Sequence, residues 1–133
     1  MKVVILGCSR VGAVLATELA KNGNEVAVID SKESSFIRLP KDVEIKKVVG
    51  MGVEHDTLIR AGIDKADVFL ALTNSDNVNI TAAQLVKQRF KVAKVASRAY
   101  DAQRAKAFQE LGLIIICPTV MTVEKFQEFL KSK

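Results

Sequence analysis

Six short apolar runs alternate with six segments of helical pattern along this chain, and the alternation fixes the fold class. The runs cover residues 2–6, 25–30, 43–49, 67–72, 92–97 and 113–116. Helical periodicity and capping residues fall at 10–22, 31–39, 54–61, from a polar cap at 73–77 to 89, at 101–111 and at 119–131. A strand, a covering helix and a second strand close only as a right-handed crossover, which makes consecutive strands parallel. The expected architecture is a six-stranded parallel sheet, doubly wound, in the order 3-2-1-4-5-6. Ligands of such sheets bind beyond the carboxyl ends of the strands, where the strand order reverses.

The chain concentrates its unusual residues at those ends. The first strand breaks at Gly7 and opens into a helix through Gly7-Cys8-Ser9-Arg10-Val11-Gly12. In a Rossmann-like domain such a turn brings backbone N–H groups to a pyrophosphate at a helix N-terminus. Here Ser9 stands where the middle glycine of that fingerprint belongs. Asp30 ends the second strand, where a carboxylate accepts the ribose hydroxyls and repels a 2′-phosphate, so NAD(H) or an adenine nucleotide is expected over NADP. Asp30 or Ser31 can instead cap the following helix. Gly50-Met51-Gly52 follows strand three, Thr73-Asn74-Ser75 follows strand four, and Arg98 ends strand five. Thr73 and Asn74 also read as a helix cap, and Arg98 equally as a surface ion pair. Arg10 is a cation at a helix N-terminus, where the dipole disfavours it unless it faces a phosphate.

Composition removes several alternatives. With 133 residues, one ordinary core and one domain are expected, 1–118 forming the nucleotide-binding unit and 119–133 a terminal helix. The net charge of +5 is spread along the chain, and its basic stretch between Lys87 and Lys106 reads as a solvated face rather than a nucleic-acid surface. Cys8 and Cys117 lack the spacing of a disulfide framework or a zinc site. His55, the one histidine, has no ligand cluster around it, so neither a metal site nor a catalytic residue is expected. No apolar run reaches the roughly 18 residues of a membrane span.

At these residues the chain resembles the KTN or RCK family, the nucleotide-binding regulatory domains of Trk and Ktr potassium uptake systems and of related potassium channels. The likeness rests on Gly7-Cys8-Ser9-Arg10-Val11-Gly12, Val28-Ile29-Asp30, Leu58-Ile59-Arg60-Ala61-Gly62-Ile63 with Ala66-Asp67, and Ala71 through Asn79. It implies NAD(H), ATP or ADP as a regulatory ligand, with Gly7, Gly12 and Arg10 at the phosphates and Asp30 at the ribose. In some members the arginine matching Arg10 reaches a phosphate across a subunit interface. The chain departs from the family at Ser9 and at Met51, which replaces an acidic residue beside the adenine.

The implied function is that of a cytoplasmic regulatory subunit: a homo-oligomer that switches a membrane potassium channel or transporter and binds no nucleic acid. The terminal helix carries Val120, Val123, Phe126 and Leu130 on one stripe and Met121 and Phe129 off it, which calls for an assembly partner. The alternative is an NAD-dependent oxidoreductase, for which the chain offers no evident acid or base.

Overall fold

A computed structural model describes residues 1–133. Its single sheet contains β1 (Lys2–Leu6), β2 (Glu25–Asp30), β3 (Lys46–Val49), β4 (Val68–Ala71), β5 (Lys94–Arg98) and β6 (Ile114–Ile116). All neighbours are parallel and the order is β3-β2-β1-β4-β5-β6, as the alternation predicts. The helices are α1 (Arg10–Lys21), α2 (His55–Arg60), α3 (Asp76–Arg89), α4 (Ala102–Glu110) and α5 (Pro118–Lys131).

The period-2 geometry of a strand splits the core into two layers. Val3 and Ile5 point to the face covered by Ala13 and Ala16 of α1, together with Phe36 and Leu39. Val4 and Leu6 point to the opposite face, onto Leu58 of α2 and Ala82 and Val86 of α3. A third cluster, Ile80, Ala99, Ala105, Ile115 and Cys117, seats α4 over β6. Small residues set how closely α1 approaches: Gly12, Ala13 and Ala16 are its buried positions, whereas Val11 is exposed. The sheet-facing side of α1 is therefore its alanine side.

Three elements differ from the sequence-based expectation. β3 begins at Lys46, because residues 43–45 leave the ladder and Ile45 turns into the core. β5 runs from Lys94 to Arg98, displaced toward the carboxyl end by its register, which pairs Val68 with Lys94 and Arg98 with Ile116. The segment after β2 is a 3-10 helix, Glu33–Arg38, and its N-cap is Lys32 with no side-chain cap. Ser31 therefore does not cap it; Asp30 Oδ1 instead accepts from Lys32 N at 2.9 Å. A further 3-10 turn spans Ile63–Lys65.

The terminal helix α5 has no buried residue; Phe126, Phe129 and Leu130 are 64%, 72% and 77% exposed. It follows directly on β6, the edge strand of the sheet, whose Ile114 and Ile116 are exposed too. No helix is long and apolar enough to cross a membrane.

Candidate functional site

The carboxyl ends of β1, β2, β3 and β4 surround a cleft of about 590 Å³, within the usual size range of small-molecule sites. Its floor is the turn between β1 and α1. Gly7 has φ +103° there, and a Cβ on it would stand 2.7 Å from Thr73 N of the neighbouring segment. Gly12 plays a different part. A Cβ on Gly12 would collide with the carbonyl oxygen of Gly7, so this glycine lets the first turn of α1 close onto the end of β1. It is a packing glycine.

Ser9 caps α1: its Oγ accepts from Gly12 N at 3.1 Å and donates to Leu72 O at 2.7 Å. Its one hydroxyl proton is thus spent on the residue that follows β4 rather than held for a ligand. Ala13 N bonds to Ser9 O, while the N–H groups of Ser9, Arg10 and Val11 have no partner within the chain. These are the orphan donors expected at the start of a 12-residue helix, and they carry its positive end.

Asp30 is tied to the same turn. Its Oδ2 accepts from Cys8 N at 2.9 Å, so each carboxylate oxygen already receives one backbone N–H. Each oxygen keeps a free lone pair for a further donor. On the other side of the Cys8 peptide, Arg38 Nη1 donates to Cys8 O at 3.0 Å. The Cys8 thiol faces the core, and burial first, then the charge of Asp30, raises its pKa above the ordinary 9.0. That thiol stays protonated at neutral pH.

The opposite wall is built around a buried amide. Asn79, fully buried at the start of α3, accepts from Thr73 N at 2.9 Å and from the Thr73 hydroxyl. It donates to Thr73 O at 2.9 Å and Arg98 O at 3.1 Å. Ser75 caps α3 through Val78 N. Arg98 is 4% exposed and donates through Nη2 to Leu72 O, Thr73 O and Asn74 Oδ1 at 2.9, 2.8 and 3.3 Å. Its guanidinium also lies 4.9 Å from the centre of the Tyr100 ring.

Of the residues singled out in the sequence, Gly7, Cys8, Ser9, Asp30, Ser31, Gly50, Met51, Gly52, Thr73, Asn74 and Ser75 line this one cleft. Arg10, Val11, Gly12 and Arg98 do not. Arg10 and Val11 are exposed on the outside of α1, and Arg98 is neither a surface ion pair nor a cleft cation but a strut behind the β4 wall. Lys32, Ser35 and Arg38 also line the cleft and were not singled out. A 3-10 helix has three residues per turn, so positions 32, 35 and 38 align on the cleft side while Phe36 and Leu39 turn into the core. Reading that segment with period 3 instead of 3.6 finds them.

The donor set suits a nucleotide: orphan N–H groups at a helix start, a carboxylate at the end of β2 and an open loop at Gly50-Met51-Gly52. A family model described as the TrkA-N domain matches residues 3–118. The chain belongs to the TrkA-N domain family. This TrkA-N domain is 46% identical over 123 residues to a Trk system potassium uptake protein TrkA of Streptomyces coelicolor, covering 92% of the chain but 53% of that protein. It thus spans about half the length of this relative. Among solved structures, the Kef CTD of Shewanella denitrificans in AMP-bound form is similar over 100% of the chain and 84% of its own, at TM-score 0.79 and 19% identity. A GsuK channel bound to NAD is similar over 88% of the chain and 21% of its own, at TM-score 0.71 and 16% identity. At these identities the likeness is one of fold.

Proposed function

We propose that this TrkA-N domain is a regulatory nucleotide-binding unit of a potassium uptake system or channel, with NAD(H), ATP or ADP as its ligand. The observation that carries the reading is the joining, within one cleft, of the α1 helix start and the Asp30 carboxylate, each linked to the other through the Cys8 peptide. Gly7, Cys8 and Ser9, at the floor of the cleft, take the phosphates, with the orphan N–H groups of Arg10 and Val11 behind them at the positive end of α1. Asp30 and Ser31 take the ribose, Gly50, Met51 and Gly52 border the base, and Thr73, Asn74 and Ser75 close the far side. Family membership, the AMP and NAD of the two structural relatives and the relative's place in a Trk system support this assignment.

Ligand occupancy regulates only through unequal affinity for two states of an assembly. Two features supply the means for assembly into a homo-oligomer on a cytoplasmic membrane face. The uncovered apolar residues of α5 suit a second copy of the chain. Arg10 projects outward from the helix start, so a phosphate contact by its side chain is one made to a neighbouring copy's ligand. No histidine or tyrosine lines the cleft, and its one carboxylate, Asp30, already accepts two backbone N–H groups, which favours a switch over an oxidoreductase. Calorimetric titration with NADH, NAD, ATP and ADP tests the reading. Saturable binding of one of them without turnover of alcohols or hydroxy acids is the expected result; no binding, or redox turnover, overturns it.

A further inference from the structure

Arg38 spends its side chain on the backbone of the turn after β1. Its Nη1 donates to Cys8 O at 3.0 Å, while Cys8 N donates to Asp30 Oδ2 at 2.9 Å, so both backbone polar atoms of Cys8 are held by side chains 22 and 30 residues away. Arg38 forms no ion pair, the salt bridges of the chain being Lys2–Glu25 and Lys125–Glu128. The segment that delivers it is anchored on either side in sequence by Phe36 and Leu39, both buried in the core layer under α1. All peptide bonds are trans, and in a planar trans unit the C=O and the N–H point opposite ways. The carbonyl that Arg38 holds belongs to the same peptide as the Ser9 N–H, which has no partner in the chain. Fixing one end of that peptide therefore aims the other.

We infer that Arg38 is a positioning residue of the phosphate turn: its hold on Cys8 O sets the direction of the Ser9 N–H and so presents that donor to the phosphate of the ligand. The inference rests on the nucleotide reading above and deepens it, adding a residue that acts through the backbone rather than by touching the ligand. Two effects run through the one peptide. A turn pinned at Cys8 N by Asp30 and at Cys8 O by Arg38 keeps its shape before a ligand arrives, so less ordering has to be supplied on binding. The guanidinium also polarises the carbonyl, and hydrogen bonds in a chain strengthen one another, which makes the Ser9 N–H a better donor to an anion. A bound phosphate strengthens the Arg38 bond in return. Asp30 reaches the turn through the adjacent peptide, and its place at the ribose is unchanged.

The test uses the full chain, with calorimetric titration of NADH, NAD, ATP and ADP at low and high salt and NMR of the Arg38 side chain. In Arg38→Gln the affinity for the nucleotides that bind the parent falls about three- to tenfold, the scale of one lost hydrogen bond. The factor is the same at either salt, because the bond is made to a neutral carbonyl and not to a charge that salt would screen. Saturating the parent with a nucleotide moves the Arg38 side-chain N–H signal and the Cys8 carbonyl-carbon signal, a readout that needs no substitution and that an arginine serving the fold alone would not give. Unchanged affinity in Arg38→Gln, or an unmoved Arg38 signal in the saturated parent, overturns the positioning role and leaves the nucleotide reading standing. A loss that vanishes at high salt means that the cation pairs with the phosphate directly, and it overturns the role as well. Failure of the parent to bind any of the nucleotides overturns both.

Discussion

Ser9 and Arg98 donate to one acceptor, the carbonyl oxygen of Leu72, at 2.7 and 2.9 Å. Through it the turn after β1 and the end of β5 are both fastened to the end of β4, the strand on which the sheet order reverses. The serine that departs from the glycine fingerprint is thus a brace, and the position it braces is the floor of the cleft.

That brace sets the outcome of substitution. Ser9→Ala removes the cap of α1 and one of two donors to Leu72 O, and unfolding in urea should show a loss of about 1–2 kcal/mol. Ser9→Gly restores the fingerprint and, on the helix-capping scale, loses only a few tenths of a kcal/mol. A Ser9→Gly variant as unstable as Ser9→Ala would contradict the capping account.

Two buried polar residues behind the β4 wall should behave oppositely. Arg98→Met leaves Leu72 O with Ser9 and Thr73 O with Asn79, and it removes a desolvated cation whose Nε has no partner. Stability should stay within about 1 kcal/mol of the parent. Asn79→Leu strands Thr73 N, whose acceptor is Asn79 Oδ1, and should cost about 1–3 kcal/mol. Denaturant midpoints of the pair, measured at equal slope, decide it.

Asp30 serves the fold as well as facing the cleft. Asp30→Ala frees Cys8 N and Lys32 N and removes the proposed ribose acceptor, so both stability and nucleotide affinity should fall, the latter by about 1–3 kcal/mol. Asp30→Asn keeps one carbonyl acceptor and should recover part of the stability. Unchanged affinity for adenosine nucleotides in Asp30→Ala would remove the residue from the site.

The buried Cys8 thiol gives an alkaline signature. Its folded pKa lies above the unfolded 9.0 because burial and Asp30 disfavour the thiolate. The protonated thiol is therefore favoured by folding below pH 9.0, and that contribution is lost as pH rises through the folded value. Cys8→Ala should flatten the decline of stability above that pH relative to the parent, measured by urea unfolding from pH 8 upward. Identical slopes would contradict the assignment.

Strand order was readable because each apolar run is short, bounded by turn residues and followed by a helix, and crossover handedness leaves few arrangements. Most of the cleft was readable for a related reason, since parallel strands deliver their carboxyl-end residues to one edge. Side-chain direction was not. Arg10 stands next to Ser9 in sequence, yet the helical rotation at that point sends one inward and the other out. Arg98 ends a strand at the right edge, but its guanidinium finds carbonyls behind the wall before it reaches the cleft. Lys32, Ser35 and Arg38 escaped because a period of 3 breaks the 3.6-residue template against which the segment was read.

The central claim is that a nucleotide sits between the α1 helix start and Asp30, and amide shift mapping by NMR tests it most directly. Titration with NADH should move the backbone N–H signals of Ser9, Arg10 and Val11, which have no acceptor in the chain, together with those of Cys8 and Lys32 on Asp30. Saturable shifts confined to these residues and to the 50–52 and 73–75 loops are the predicted result. Unmoved amides at 8–11 with shifts elsewhere, such as along β6 and α5, would contradict it.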